Sequence, residues 1–294
     1  MGGETTWPRI AVVGAGAVGG YFGGMLARAG APVTMIGRQA FVETVKNTGL
    51  QLDTVQFRET VFPEVSTEIA AAAGAEVILF CVKTTDTAST AKSLAPHISP
   101  GAIVVSLQNG VNNAEEIRAA AGIDALPAVV YVAAAMSPPG YVKHLGRGDL
   151  VVGPKNARTE RIANLFQQAK VPCRISENIE GELWTKLIWN CALNAISALG
   201  CVTYGEIFAS ADARRIIETL VDEVLAVARA KGIHPLGLED PKAALAGALK
   251  IAEQMSGTRS STAQDMARLG EQLGVATPVN HALFTLVKLQ ESGF

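Results

Sequence analysis

The stretch IAVVGAGAVGGYFGGMLARAGAPVTMI, residues 10–36, decides the fold of this chain. It opens with the β-branched run Ile10–Val13, passes through a glycine-rich turn and continues as a periodic apolar segment over Tyr21–Ala29. A second β-branched run, Pro32–Ile36, closes it. The order strand, glycine-rich turn, helix and strand makes G-x-G-x-x-G a specific signal where alone it would be weak. We therefore predict an α/β domain of Rossmann type that binds a dinucleotide.

Each glycine of this turn has its own predicted role. Gly14 permits a tight turn, Gly16 lets the backbone approach a pyrophosphate, and Gly19 lets helix and strand pack closely. The N-terminus of the helix then offers N–H groups and a partial positive charge to the phosphates. The alternative is a glycine-rich turn without a ligand, which the flanking strand and helix disfavour. The predicted cofactor-binding residues of the turn are Gly14, Ala15, Gly16, Ala17, Val18 and Gly19.

The end of the second strand indicates which dinucleotide is bound. A site for NAD normally carries an Asp or Glu there, which holds the ribose 2′-hydroxyl. This chain has Ile36-Gly37-Arg38, and the nearest acid, Glu43, lies beyond. A guanidinium can pair with a 2′-phosphate, so Arg38 predicts NADP as the cofactor. The alternative is an ordinary surface arginine.

Two further apolar strands predict where the rest of a ligand lies. Residues 76–82 and 102–107 are apolar almost throughout, as in parallel strands buried on both faces. They lead into Lys83 and Asn109. Ligands of open parallel sheets bind at the carboxyl ends of strands, so both side chains are candidates for contact with a cofactor or substrate. For Asn109 a structural reading is equally good, because Asn-Gly is itself a turn dipeptide.

The strand patterns stop near residue 176, and this change predicts a domain boundary. Before it we expect a strand at 128–135, a hairpin-like pair at 141–144 and 150–152, a helix at 159–169 and a strand at 171–175. After it we expect helices at 180–199, 213–231, 241–255, 261–273 and 280–289. The sequence thus predicts an NADP-binding Rossmann-type domain over residues 8–176, followed by an all-α substrate and catalytic domain over residues 177–294.

The first helix of the second half, around WTKLIWNCALN at residues 184–194, carries three polar side chains at helical spacing. Lys186, Asn190 and Asn194 stand at i, i+4 and i+8, which places them on one stripe about 12 Å long. The neighbouring positions are apolar. A buried lysine is costly unless compensated, so a functional stripe competes with a solvated one whose lysine stem snorkels. Spacing alone leaves these two readings about equal.

Composition and cysteine usage limit the classes of partner. The formal net charge is −2 and the basic residues are scattered, which argues against a nucleic-acid surface. No apolar run reaches membrane-spanning length. The chain shows neither a metal-binding motif nor a nucleophile elbow. Its four cysteines lack C-x-x-C spacing and predict reduced core residues of a cytoplasmic protein. We leave a homodimer open.

A pair of serines precedes the fourth predicted helix. Ser260 and Ser261 fit an N-cap, for which serine is a preferred residue. The same hydroxyl and helix N-terminus could also receive a substrate carboxylate. The two readings are compatible.

Taken together, these motifs resemble the ketopantoate reductase (2-dehydropantoate 2-reductase) family. The shared pieces are GAGAVGG at 14–20, CVK ending at Lys83, QNG around Asn109, WTKLIWNCALNA at 184–195 and RSSTAQD at 259–265. They stand in the family's order over nearly the whole chain, and the lysine helix is the most specific of them.

The resemblance implies an NADPH-dependent reduction of 2-dehydropantoate to (R)-pantoate, in pantothenate and coenzyme A biosynthesis. It implies Lys186 as the catalytic proton donor and a small 2-oxo acid as the binding partner. Asn190, Asn194 and Ser261 would contact the substrate, with Ser261 on its carboxylate. Lys83 and Asn109 would lie at the nicotinamide end, where Asn109 is also near the substrate, and Arg38 would bind the 2′-phosphate.

The chain departs from the family's pattern at two places. The Thr-Glu-Ile-Asp segment expected shortly after Asp265 is absent, and Glu271 is a poor substitute for its glutamate. A further substrate asparagine corresponds to Tyr204. Two alternatives therefore stay open: a reductase of another 2-oxo acid on the same scaffold, and an inactive NADP-binding sensor.

Overall fold

A computed structural model describes residues 6–254, 256 and 274–291 of the chain. Two compact units make up the chain, residues 1–179 and residues 180–294. The first unit is a sheet covered by helices, and the described part of the second contains helices only. The predicted fold class, a Rossmann-type α/β domain followed by an all-α domain, is confirmed.

The sheet of the first unit has ten strands in the order β4-β3-β9-β8-β7-β6-β1-β2-β5, with β10 paired to β9. The strands are β1 (Ile10–Val13), β2 (Val33–Ile36), β3 (Leu50–Asp53), β4 (Arg58–Val61), β5 (Glu64–Ser66), β6 (Val77–Phe80), β7 (Ile103–Ser106), β8 (Leu126–Met136), β9 (Tyr141–Val152) and β10 (Cys173–Ile175). From β5 to β8 every neighbouring pair is parallel. The glycine-rich turn follows β1, which lies between β2 and β6.

Five α-helices cover this sheet: α1 (Ala17–Arg28), α2 (Gln39–Thr48), α3 (Thr87–Leu94), α4 (Asn113–Ala121) and α5 (Ala157–Gln168). Successive residues of the central strands enter two different cores. Val12 and Leu79 belong to a core that includes Phe22 of α1, whereas Val13 and Phe80 belong to another. Because side chains of a strand alternate between faces, burial on both faces explains why these strands are apolar at every position.

The described part of the second unit contains the helices α6 (Ile179–Gly200), α7 (Tyr204–Ala209), α8 (Ala211–Ala230), α9 (Pro241–Gln254) and α10 (Pro278–Glu291). Helix α6 starts at the last residue of the first unit. Helix α7 was missed by the periodicity argument because it is only six residues long. The helix predicted at 261–273 lies outside the described residues. No described helix is both long enough and apolar enough to cross a bilayer.

The predicted hairpin-like pair at 141–144 and 150–152 is wrong. These segments form one strand, β9, which pairs antiparallel with β8. Gly146, Arg147 and Gly148 all have positive φ, and the pairing register shifts beside them. These residues with positive φ form β-bulges, which bend a strand without reversing its direction.

Two smaller expectations also need correction. Helix α1 begins at Ala17, four residues before the predicted start, because Gly19 and Gly20 are buried inside the helix. No disulfide links the four cysteines. Cys173 and Cys191 are buried, as predicted, but Cys81 is only partly buried and Cys201 is exposed. It follows the end of α6 with a φ of 51°, so it lies in a turn outside the core.

Candidate cofactor and substrate site

The glycine-rich turn is packed too closely for side chains at two of its glycines. Gly14 has a φ of 100°, and a Cβ there would lie 2.7 Å from the carbonyl carbon of Cys81. A Cβ on Gly19 would lie 2.2 Å from the Gly14 carbonyl oxygen and 3.0 Å from Val12 Cγ1. The packing roles predicted for Gly14 and Gly19 therefore match the structure. The turn is fixed by two hydrogen bonds of 3.0 Å, which Gly14 N–H and Ala15 N–H donate to the Ile36 carbonyl.

Gly16 differs from its neighbours because nothing lies within 4 Å of the position its Cβ would occupy. It is exposed and is the N-cap residue of α1. In the described structure no side chain caps this helix, and its first turn holds no acidic residue. The first N–H groups of a helix have no partner within the helix and attract anions. The open space at Gly16 and the uncapped helix therefore fit a dinucleotide pyrophosphate.

Arg38 lies close to this turn because the residue before it, Gly37, packs against the turn. A Cβ on Gly37 would lie 2.9 Å from the Cβ of Ala15, so the end of β2 packs directly on the glycine turn. Arg38 follows as the exposed N-cap residue of α2. With Ile36 and Gly37 before it, no carboxylate stands at the end of β2. The charge and hydrogen-bonding shape of a guanidinium suit a phosphate at this position.

Lys83 and Asn109 are brought together at the ends of two neighbouring strands. β6 and β7 pair in parallel, with Phe80 opposite Ser106, and each candidate lies three residues beyond its strand. Both residues are exposed. The Asn109 carbonyl accepts hydrogen bonds from Asn113 Nδ2 at 2.7 Å and from Thr84 Oγ1 at 3.4 Å. Its backbone thus takes part in turn structure, as the structural reading of Asn-Gly proposed, while its side chain lies at the same edge as Lys83.

In the second unit the predicted polar stripe lies on α6. Lys186 and Asn190 are half-buried, and Asn194 is buried. Lys186 is also the only charged residue between positions 183 and 200, and its flanking residues Thr185 and Leu187 are buried. A half-buried position suits both predicted readings of the stripe, a functional one and a solvated one whose lysine stem snorkels.

Asn194 has a partner that the sequence analysis did not predict. Tyr204 Oη donates a hydrogen bond to Asn194 Oδ1 over 2.6 Å. Burial raises the pKa of Tyr204 to about 12, so the phenol stays protonated and remains a donor at neutral pH. Tyr204 is held at the start of α7 by a capping box, in which Thr203 and Glu206 bond each other's backbone N–H groups. The Thr-x-x-Glu pattern was the signal that would have revealed this helix start.

The remaining candidates are Ser261 and Glu271, and both lie outside the described residues. Among the residues that the structure does describe, no group of three or more His, Cys, Asp or Glu side chains could hold a metal ion.

Comparisons with known proteins extend over most of the chain. Residues 10–157 match the family model described as ketopantoate reductase PanE/ApbA, and residues 178–269 match its C-terminal model. A 2-dehydropantoate 2-reductase of Halobacterium salinarum is 30% identical over 266 residues, which cover 88% of this chain and 86% of that protein.

Solved structures show the same relationship. The crystal structure of a PanE/ApbA family ketopantoate reductase from Ralstonia eutropha JMP134 is 41% identical, with a TM-score of 0.88 over 97% of this chain and 98% of that one. D-mandelate dehydrogenase, solved with NADH and anilino(oxo)acetate, shares the fold at 22% identity, with a TM-score of 0.86 over 97% and 98% of the two chains. This chain therefore belongs to the ketopantoate reductase PanE/ApbA family.

Proposed function

We propose that this chain reduces 2-dehydropantoate to (R)-pantoate with NADPH, as a step of pantothenate and coenzyme A biosynthesis. Family membership supports the reaction class. The observation that carries the proposal is the half-buried Lys186 on an otherwise largely buried helix, with Asn190 one turn away. Such a cation suits the reduction of a carbonyl, because negative charge builds on the carbonyl oxygen, which must then be protonated.

The first unit would hold the cofactor. Its pyrophosphate would lie over Gly16 at the start of α1, and Arg38 would pair with the 2′-phosphate. Lys83 and Asn109 would serve the nicotinamide end, because ligands of parallel sheets bind at the carboxyl ends of strands. When bound, the reduced nicotinamide supplies a hydride to C2 of a 2-oxo acid.

The second unit would supply the proton. Lys186 would stabilise the charge that develops on the C2 oxygen and would donate the proton that gives the alcohol. Asn190 can orient that ammonium or bond a substrate hydroxyl, a contact that discriminates against analogues without the hydroxyl. We assign the substrate carboxylate to Ser261.

Asn194 already has a hydrogen-bond partner within the protein, so its proposed contact with the substrate is more restricted than the sequence suggested. Its Oδ1 already accepts the hydrogen bond from Tyr204, and both residues are buried. A substrate hydroxyl would therefore have to share the Asn194 amide with the Tyr204 phenol.

Replacing Lys186 tests the proposed role directly. We expect Lys186→Ala to lower kcat for 2-dehydropantoate by about two orders of magnitude or more, because the general acid is lost. Its Kd for NADPH, measured by fluorescence titration, should stay close to that of the wild type. The matched control is Lys250→Ala, which removes an exposed ammonium from α9 of the same unit and should leave kcat unchanged. An unaltered kcat in Lys186→Ala would remove Lys186 from the mechanism.

A second candidate is the reduction of a different 2-oxo acid. The observation that favours it is the Tyr204–Asn194 hydrogen bond, which occupies one amide of the predicted substrate stripe. A panel of 2-oxo acids, followed by NADPH absorbance, separates the two candidates by their kcat/KM values. Tight NADPH binding without oxidation by any acid of the panel would instead support a cofactor sensor. Cytoplasmic location and a homodimer stay predictions.

A further inference from the structure

The loops that carry Lys83 and Asn109 are joined by a buried side chain. β6 and β7 end in register, and Leu107 N–H continues the pairing with a hydrogen bond of 2.9 Å to the Phe80 carbonyl. Beyond that point the strands no longer hold the two loops together. The next residue of the β7 loop is Gln108, which is only 5% exposed.

The amide of Gln108 makes three hydrogen bonds. Its Nε2 donates to the Val82 carbonyl at 3.1 Å and to Thr87 Oγ1 at 2.8 Å. Its Oε1 accepts from Ser106 Oγ at 3.0 Å. Val82 directly precedes Lys83, and Thr87 is the first residue of α3, which follows the Lys83 loop. Gln108 therefore connects the end of β7 to both sides of the Lys83 loop.

Only an amide satisfies all three partners. Both N–H groups of the Gln108 side chain are used, and its oxygen accepts from a hydroxyl. A glutamate of the same shape would lose the donors and face the Val82 carbonyl with an oxygen. A leucine would leave that partly buried carbonyl and the buried Thr87 hydroxyl without this partner, which is costly.

A second contact acts between the same loops. Thr84 Oγ1 donates to the Asn109 carbonyl from the Lys83 side, and Asn113 Nδ2 donates to the same oxygen from α4. The backbone on each side of Gln108 is thus held in place, while the Lys83 and Asn109 side chains remain exposed.

We propose that Gln108 is a positioning residue for the nicotinamide end of the cofactor, because its buried amide fixes the loops that present Lys83 and Asn109. This inference rests on the proposed function, in which those two residues serve the nicotinamide. In this proposal Gln108 does not contact the ligand. It acts through the distance and orientation of the two loops, for which small displacements matter.

The test compares the whole cofactor with its adenosine half. Gln108→Leu and Gln108→Glu are titrated with NADPH and with 2′,5′-ADP, which reaches only the glycine turn and Arg38 in the proposed site. We expect the Kd for NADPH to rise about tenfold or more, since the two loops at the nicotinamide end lose the hydrogen bonds that hold them together. The Kd for 2′,5′-ADP should stay within about twofold. Gln167→Leu is the control, because it removes a glutamine amide bonded to the Cys173 carbonyl, away from these loops.

A milder variant keeps the test valid if the Gln108 variants fold poorly. Thr87→Val removes one of the two acceptors of Gln108 Nε2 with little change in shape. It should raise the ratio of the NADPH Kd to the 2′,5′-ADP Kd, as the Gln108 variants do, but by less. If the Gln108 variants bind both ligands more weakly by the same factor, Gln108 is a general support of the fold and the proposal is overturned. No change in either Kd also overturns it. A wild-type chain that binds 2′,5′-ADP and NADPH equally well also overturns it. A wild-type chain that binds neither ligand refutes the proposed cofactor, and the positioning role with it.

Discussion

Two helices of the first unit begin in opposite ways. α5 starts with a full capping box: Asn156 Oδ1 accepts hydrogen bonds from the N–H groups of Arg158 and Thr159, and Thr159 Oγ1 accepts one from Asn156 N–H. Glu160 adds an acid to the first turn. α1 starts at Gly16 with neither a capping side chain nor an acid in its first turn.

A missing cap does not by itself mark a ligand site, because α3 and α4 also begin without a side-chain cap. What points to a ligand at α1 is that the helix follows the glycine-rich turn and has open space at Gly16. Every helix N-terminus presents N–H groups and a partial positive charge that need a partner. At α5 the protein provides that partner. At α1 a cap is missing although glycine has left room for one, and the neighbouring helix α2 begins with the cation Arg38, also without a side-chain cap. We interpret the starts of α1 and α2 together as an anion site for the cofactor phosphates.

The largest expected effect comes from giving α1 the cap that it lacks. Gly16→Asp places a good N-cap residue into open space, so the free protein should be as stable as the wild type or more stable by a few tenths of a kcal/mol. The carboxylate would repel the pyrophosphate, and NADPH binding should weaken on the order of 3 kcal/mol, about a hundredfold. Thermal unfolding and NADPH titration measure the two effects separately.

Gly16→Ser is the matched control, because serine caps a helix without adding a charge. It should weaken NADPH binding much less than Gly16→Asp does. If Gly16→Asp bound NADPH as tightly as the wild type, the start of α1 would not be a phosphate site.

A smaller effect is expected at the start of α2. Arg38→Ala removes the guanidinium proposed for the 2′-phosphate, and a charge-assisted hydrogen bond is worth about 1.5–3 kcal/mol. The Kd for NADPH should therefore rise about tenfold to a hundredfold, whereas the Kd for NADH should change by less than about threefold. Equal losses for the two cofactors would contradict a 2′-phosphate role and leave Arg38 as a surface residue.

The smallest effect belongs to the capped helix. Asn156→Ala should cost about 1 kcal/mol of unfolding free energy, because two N–H groups of α5 lose their acceptor. The melting temperature should fall by about 2–4 °C. NADPH affinity and kcat should not change. A loss of NADPH affinity in Asn156→Ala would contradict the interpretation that the start of α5 serves the fold alone.

Much of the fold was predictable because it depends on local patterns. Largely apolar runs predicted β1, β6 and β7, and helical periodicity predicted α6 and α8 within a few residues at each end. The predictions were wrong where local chemistry was ambiguous. Glycines at 146 and 148 resembled a hairpin turn and in fact form bulges, and the polar helix α2 gave too weak an apolar pattern to be recognised.

For the candidate site, the sequence predicted positions better than partners. Strand ends located Arg38, Lys83 and Asn109, because parallel strands bring their carboxyl ends to one edge of a sheet. The hydrogen bonds of the Gln108 side-chain amide were not predicted. They depend on how close two loops lie in space, and the bonded residues Gln108 and Val82 are 26 positions apart in the sequence.

By itself the sequence determined the fold class, the glycine turn with its crowded and open positions, and the spacing of the lysine stripe, because each follows from neighbours a few residues apart. Only the tertiary structure decided which polar groups meet across longer separations. Tyr204 bonds Asn194 from the next helix, and the buried Glu223 carboxylate of α8 accepts the N–H groups of Val279 and Asn280 at the start of α10, 57 residues away in the case of Asn280. A one-dimensional pattern carries no distance between such groups, since their contact is fixed by how whole helices pack.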